Sequence, residues 1–412
     1  MSEVLVEGDR ARLSGLVNAH SHAFHRVLRG LSETASGDFF TWRQLMYEVA
    51  ERLDPDSYRE LATCVFAEMV LAGYTSVGEF HYLHHGPGGK PYAEPNEMSY
   101  ALLEAAEAAG VRLCLLDACY LQGSVEGAPL AGAQLRFSDG DGDAWSRRVQ
   151  DAIDSGRFGG RHHLGVAIHS VRAVPPAAMV SVGALAASYD LPLHVHVSEQ
   201  KSENEACLAA FQKSPTELLH ETGALTARTT AVHATHLRPA DVARYGLAQA
   251  GICACPTTER DLGDGTGPFR ELADSGAVLC LGSDSHAVID PFEEARSLEW
   301  HQRLSEERRG IMSPVELLAA ATTGGSRSLG RPGEEAADAV YLRLEQSLDL
   351  AGWSPADGDD LVARVLFGAS PADVDEVVIA GERVVEGGEH IRLGPRRAIA
   401  ARLTAAARRL LS

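Results

Sequence analysis

Short apolar runs alternate with longer amphipathic stretches from about Leu13 to Gly282. Eight runs read as strands: Leu13–Ala19, Tyr74–Glu79, Val111–Asp117, His163–Ile168, Leu193–Val197, Thr229–His233, Ile252–Cys255 and Val278–Leu281. Between them lie stretches of helical period, among them Thr41–Leu53, Ser57–Leu71, Met98–Ala109, Ala177–Tyr189 and Ala240–Leu247. Strands separated by helices make parallel βα units, and eight in succession predict an α/β fold closed as a (β/α)8 TIM-type barrel. An open doubly wound sheet would carry a glycine-rich phosphate loop after its first strand. Here that strand runs into Asn18-Ala19-His20-Ser21-His22 instead, which favours the barrel.

After Gly330 the pattern changes. Ala337–Leu344, Val374–Ala380 and Val384–Glu386 read as strands joined by turns, and Pro355-Ala356-Asp357-Gly358-Asp359-Asp360 as a solvated loop. The expected organisation is a barrel over 13–330, a small β subdomain drawn from 1–12 and 331–394, and a C-terminal helix over 395–412, its core Pro395 to Leu411.

Composition narrows the classes. The 412 residues are 45% apolar and 23% charged, an ordinary globular balance that excludes a disordered or collagen-like chain. Fifty-seven acids against 37 bases leave a charge of −20, which repels phosphate backbones and anionic lipid, so neither nucleic acid nor membrane is expected as a partner. No uninterrupted apolar window of about 18 residues occurs, and Met1 to Arg12 lacks the pattern of a secretory signal. Seven scattered cysteines fit reduced thiols in a cytoplasm. Cys253-x-Cys255 could ligate a metal, but inside the run Ala250 to Pro256 it reads better as buried strand.

The chemistry gathers where the strands end. His20 and His22, Glu79 with His81 and Tyr82, His169, His196 and Glu199, His233, and Asp284 all fall at or just past a predicted strand. In a barrel those C-terminal ends converge on one mouth. His20-x-His22 points two imidazoles to one side of an extended segment. His194-x-His196 has the same geometry; His196, nearer the strand end, is the better ligand, and His194 reads as a core histidine. Glu199 could serve a water or a substrate nitrogen, or simply favour a helix N-terminus. Asp284 could be a ligand or a helix cap. Three nitrogens and one oxygen with an open position would describe a catalytic zinc site. The remaining histidines, His84, His85, His162 and His163, read as loop or strand-entry residues, and Asp261 and Asp264 as turn formers.

With these residues in view the sequence resembles the amidohydrolase superfamily, and within it the formimidoylglutamate deiminases. The segments that carry the resemblance include His20-Ser21-His22-Ala23-Phe24-His25-Arg26, Thr41-Trp42-Arg43-Gln44-Leu45-Met46-Tyr47, Gly78-Glu79-Phe80-His81-Tyr82, His169-Ser170-Val171-Arg172, His194-Val195-His196-Val197-Ser198-Glu199-Gln200, and Thr258-Glu259-Arg260-Asp261-Leu262-Gly263-Asp264-Gly265. The resemblance implies one zinc per chain held by His20, His22, His196 and Asp284, with Glu199, His233 and Asp284 catalytic. It also implies His25, Tyr82, His169 and Arg172 around a dicarboxylate substrate, hydrolysis of N-formimino-L-glutamate in histidine degradation, a cytoplasmic homodimer, and a β-sandwich-like subdomain beside the barrel. With only 19 residues ahead of His20 that subdomain is expected to be reduced. His25 departs from the family pattern, which has glutamine there.

Two other readings compete. A deaminase of a purine, pterin or triazine would keep the zinc site but need apolar walls and fewer cations; Arg172 with Tyr82 favours an acyclic carboxylated substrate. A non-catalytic binding protein on the same barrel has no need of Glu199, His233 and Asp284 together.

Overall fold

Parallel strands buried on both faces need apolar side chains at nearly every position, which is why they read as continuous runs. The computed structural model describes residues 4–31, 39–344, 347–350 and 361–412, so the loop expected at 355–360 lies outside the described residues. The chain opens with β1 (Leu5–Glu7) and β2 (Arg10–Ser14) and then builds the barrel strands β3 (Leu16–Ser21), β4 (Tyr74–His81), β5 (Arg112–Cys119), β6 (His162–Ser170), β7 (Leu193–Val197), β8 (Thr229–His233), β9 (Gly251–Ala254) and β10 (Val278–Leu281). Every residue of β4 and β5 is buried. The eight strands neighbour one another in sequence order, all parallel, with helices between them.

Closure is made at one point. Ser21 and Asp284 form a parallel bridge, with Asp284 N donating to His20 O at 3.0 Å and His22 N donating to Asp284 O at 3.2 Å. A Cβ at Gly282 would lie 2.7 Å from His20 Cβ, so glycine is what lets the end of β10 lean on β3.

One expected strand is corrected. Leu13–Ala19 is not a single barrel strand: Leu13 and Ser14 belong to β2, and the barrel begins at Leu16. Gly15 separates them where a Cβ would meet Thr75 Oγ1 at 2.3 Å. The pattern could not show the break because Leu13, Leu16 and Val17 are all buried, in two different sheets. The second sheet adds β11 (Ala339–Arg343), β12 (Val374–Ile379), β13 (Glu382–Glu386) and β14 (Glu389–His390), in the antiparallel order β1-β2-β11-β12-β13-β14. Arg112 of β5 grips both oxygens of Asp338, next to β11, at 2.9 and 3.0 Å and so ties sheet to barrel. The terminal helix Arg396–Leu411 buries Ile399, Ala406 and Leu410. All seven cysteines are free and buried, with Cys253 on β9. Among the described residues no helix is long and apolar enough to cross a membrane.

Candidate active site

Three imidazole nitrogens and a carboxylate oxygen meet at the C-terminal mouth of the barrel. His20 and His22 come from β3 and its exit, His196 from β7, and Asp284 from the turn after β10. The Nε2 atoms of His20 and His22 are 3.1 Å apart, those of His20 and His196 3.1 Å, and those of His22 and His196 3.4 Å. Asp284 Oδ1 lies 3.3 Å from His20 Nε2 and 3.4 Å from His22 Nε2. All four ligand atoms fall within 4.8 Å of one another, and all four residues are buried.

The hydrogen bonds behind this cluster decide what it offers. His22 Nδ1 donates to Phe80 O at 2.9 Å and His196 Nδ1 to His169 O at 2.8 Å. A carbonyl only accepts, so the proton is on Nδ1 and each neutral ring turns an Nε2 lone pair toward the others. Burial pulls the His20 imidazole down to about 3, more than the Asp284 carboxylate can offset, so the rings stay uncharged. Asp284 is held well below the usual carboxylate range: burial opposes ionisation, and His20, His233 and His22 outweigh it. Lone pairs facing one another need a cation between them. A tetrahedron with bonds of about 2.0–2.1 Å has edges of about 3.3 Å, close to the five separations above, so the donor set fits a zinc-like ion.

Beside the quartet stand further titratable groups. His233 Nε2 is 3.8 Å from Glu199 Oε1 and 3.8 Å from Asp284 Oδ2. Burial works against a charged His233 ring, but Glu199, Glu259 and Asp284 together raise it to about 10. Ser198, His233, Ala234 and Asp284 hold left-handed φ values of 50°, 68°, 52° and 40°. Such backbone costs a non-glycine residue about 1–3 kcal/mol and persists only where its surroundings over-determine it.

The quartet opens into a cavity of about 260 Å³. Of the residues expected to bind substrate, His25, Tyr82, His169 and Arg172 all line it. His25 Nε2 and Tyr82 Oη are hydrogen-bonded at 2.8 Å, and the His169 ring packs 4.5 Å from that of Tyr120. Arg172 is already committed in part: Nη2 donates to Glu199 Oε2 at 3.1 Å and Nη1 lies 3.1 Å from Glu203 Oε2. Glu203 in turn accepts Ser198 N at 2.7 Å and steadies the left-handed turn before Glu199. His194 turns away from the cluster, its Nε2 donating to Ser328 O at 2.9 Å.

Several lining residues stand in segments singled out in the sequence or near them, but were given no role in the site. Arg43, Met46 and Tyr47 line the cavity from the helix Phe39–Arg52, and their i, i+3 and i+4 spacing was the available signal. Tyr120 and Phe137 complete an aromatic wall. Glu259 contacts the far side of His233, and nothing in its local pattern distinguished it from a helix N-terminal acid.

Residues 13–384 match the amidohydrolase family. The chain belongs to that family. A formimidoylglutamate deiminase of Pseudomonas aeruginosa is 39% identical over 395 residues, covering 92% of this chain and 86% of that one. An 8-oxoguanine deaminase of the same organism is 32% identical over 392 residues, covering 91% and 82%. The crystal structure of an amidohydrolase from Brucella melitensis superposes with a TM-score of 0.88 at 32% identity, over 99% of this chain and 96% of that one. The barrel and the amidohydrolase kinship expected from the sequence therefore stand, and the β region expected beside the barrel is one antiparallel six-stranded sheet.

Proposed function

We propose that this amidohydrolase hydrolyses N-formimino-L-glutamate to N-formyl-L-glutamate and ammonia, a step of histidine degradation, with one zinc per chain. The observation that carries the reading is the unbroken chain from Arg172 through Glu199 and His233 to Asp284 and the three ligand histidines, in one cavity. It joins a cation suited to a carboxylate with a site suited to hydrolysis. The same reading treats 13–330 as the hydrolase unit beside a small β subdomain of 1–12 and 331–394 and the helix 395–412, in a cytoplasmic homodimer.

His20, His22, His196 and Asp284 would hold the zinc; nitrogen-rich ligation suits it better than magnesium. When bound, it supplies the Lewis acidity that makes water a nucleophile near neutral pH. The rest is the work of the chain's own side chains. Arg172 and Arg43 supply the charge for two substrate carboxylates, with Tyr82, His169 and His25 as further hydrogen-bond partners. A guanidinium carries five donors, so a substrate carboxylate adds to the Arg172 ion pairs or exchanges with that to Glu199. Glu199 protonates the imino nitrogen so that ammonia can leave. Asp284 accepts the proton lost by the attacking water and passes it to the same nitrogen, which leaves as ammonia. The proton released as the formyl C=O forms returns to Glu199, and His233 Nε2 donates to the oxygen as charge develops. Acid–base help of this kind contributes about 10²–10⁴-fold.

The aromatic wall of Trp42, Tyr47, Tyr82, Tyr120 and Phe137, with the kinship to an 8-oxoguanine deaminase, favours a heterocyclic amine as the second reading. Ammonia release by zinc-loaded protein from N-formimino-L-glutamate, set against a panel of heterocyclic amines, separates the two. We expect turnover of the formimino substrate, and a loss of about 10–100-fold in kcat/KM for Arg172→Ala, the worth of a charged hydrogen bond. Folded, zinc-occupied protein that releases ammonia only from a heterocycle would transfer the assignment to the second reading.

A further inference from the structure

One buried carboxylate next to the site has no part in the reaction as described. Glu259 is 2% exposed and lies in the first turn of the helix Pro256–Leu262, which starts directly after β9. Its Oε1 accepts the backbone N–H of Cys255 at 2.9 Å and stands 3.4 Å from His233 Nδ1. An oxygen that accepts a backbone N–H is the unprotonated one, so the proton between it and the ring lies on Nδ1. That leaves Nε2 facing Glu199 and Asp284, each at 3.8 Å.

The ring needs an anchor of this sort. His233 and Ala234 are consecutive residues with left-handed φ, so β8 ends in a strained turn, and the torsion that rotates an imidazole is broad. Glu259 itself is well fixed. Its amide oxygen accepts Asp264 N at 2.9 Å. The adjacent Thr258 Oγ1 accepts Ser285 N at 3.2 Å and donates to Ser283 O at 3.3 Å, so it grips the residues on either side of Asp284. The Thr258-Glu259 step therefore touches both turns that face each other across the site, and a histidine held through Nδ1 by a carboxylate has its direction set.

We propose that Glu259 is the positioning residue for His233, fixing the ring so that Nε2 points at the reacting atoms. The inference rests on His233 acting in the hydrolysis proposed above. The test uses the full-length, zinc-loaded enzyme with N-formimino-L-glutamate. Glu259→Gln keeps an acceptor oxygen in place and should hold kcat within about threefold. Glu259→Leu removes the acceptor and should lower kcat about 10–100-fold while KM stays within about threefold. In a His233→Asn background the same leucine should cost less than about twofold more, because Glu259 works through the ring. Glu259→Ser takes its place where leucine prevents folding. Equal losses for glutamine and leucine, or the same loss with and without His233, would overturn the proposal. A crystal structure of Glu259→Leu gives a readout independent of turnover: a ring rotated away from Glu199 and Asp284 supports the role, and an unmoved ring refutes it. Should the parent release no ammonia, the substrate reading fails, and the ring position still decides the role of Glu259.

Discussion

Two buried clusters of charge lie in the same barrel and treat burial in opposite ways. In the wall beside β5, Arg148 binds both oxygens of Asp117 at 2.7 and 2.8 Å and both oxygens of Asp139 at 2.8 and 3.0 Å. Trp145 Nε1 adds a donor to Asp117 at 3.0 Å, and His85 meets Asp139 at 2.9 Å. Burial opposes both carboxylates, yet Arg148 brings Asp117 and Asp139 below the usual range, and they raise Arg148 in return. None of these residues has a left-handed backbone. At the barrel mouth the accounts do not close. Burial depresses His20, His22 and His196 and raises Glu203 and Glu259, while Asp264 is lifted to about 8 by burial and then by Glu199. His20 Nδ1 and Asp264 Oδ2 are buried without a hydrogen-bond partner, as His85 Nδ1 is in the wall, but here the backbone is also left-handed, at Ser198, His233, Ala234 and Asp284. A buried network whose charges neutralise one another serves the fold; one that a cation and a substrate would complete serves chemistry.

The contrast is broken most severely at the mouth. Asp284→Asn takes away one of the four donors and the proposed proton acceptor, and should cut kcat/KM for ammonia release by about 10²–10⁴-fold. Chelation should abolish turnover and lower the Tm, since an ion bound only by the folded state stabilises it, and added zinc should restore both. An Asp284→Asn protein with parent activity would move the reaction elsewhere in the molecule.

In the wall cluster the expected damage is to stability instead. Arg148→Met leaves Asp117 and Asp139 buried without their counter-charge, which should cost about 3–5 kcal/mol in denaturant unfolding, with kcat per folded molecule unchanged. A cost below about 1 kcal/mol, or a fall in kcat without a fall in stability, would erase the distinction between the two clusters.

How much of this the sequence disclosed depended on distance along the chain. His20-x-His22 and His194-x-His196 are the same local pattern, and only position on the strand separates a pair that both join the quartet from a pair split between core and site. Nearness to the strand end favoured His196 over His194, and His194 does turn to Ser328 O. Barrel strands were legible because burial on both faces leaves a continuous apolar run. The same property hid the break at Gly15, where two sheets share one run. Arg148 with Asp117, 31 residues apart, and Glu259 with His233, 26 apart, were not legible at all. Each is an ordinary charged residue on an amphipathic element, and its partner is chosen by the closure of the barrel rather than by any local spacing.

A smaller effect sharpens the comparison through pH. His84 lies fully buried beside the wall cluster, its Nε2 donating to Ala118 O at 2.9 Å. Burial, and then the charge of Arg148, bring it down to about 4. The folded protein therefore keeps His84 neutral where the unfolded chain, titrating near 6.5, has taken up its proton. As pH falls from about 6.5 to 4 the unfolded state binds more protons, so stability declines by up to about 3 kcal/mol from this residue, and below 4 no further loss arises from it. His84→Gln, whose amide can still donate to Ala118 O, should make the stability curve shallower over that window. An unchanged slope would show that His84 is protonated in the folded state after all.

The weakest effect is expected where water reaches the charges. Arg59 pairs with Asp56 at 2.7 Å and Glu104 at 3.2 Å, distances close to those in the wall cluster. The side chains are 44%, 84% and 42% exposed, however, so solvent screens each pair and the long side chains lose entropy in holding it. Arg59→Ala should change unfolding free energy by about 0.5 kcal/mol or less and leave kcat/KM untouched. Measured beside Arg148→Met, it compares ion pairs of similar length at opposite extremes of burial. A loss for Arg59→Ala comparable to that for Arg148→Met would mean that contact distance governs what these clusters contribute, and burial would no longer explain why one network locks its charges and the other leaves them available for reaction.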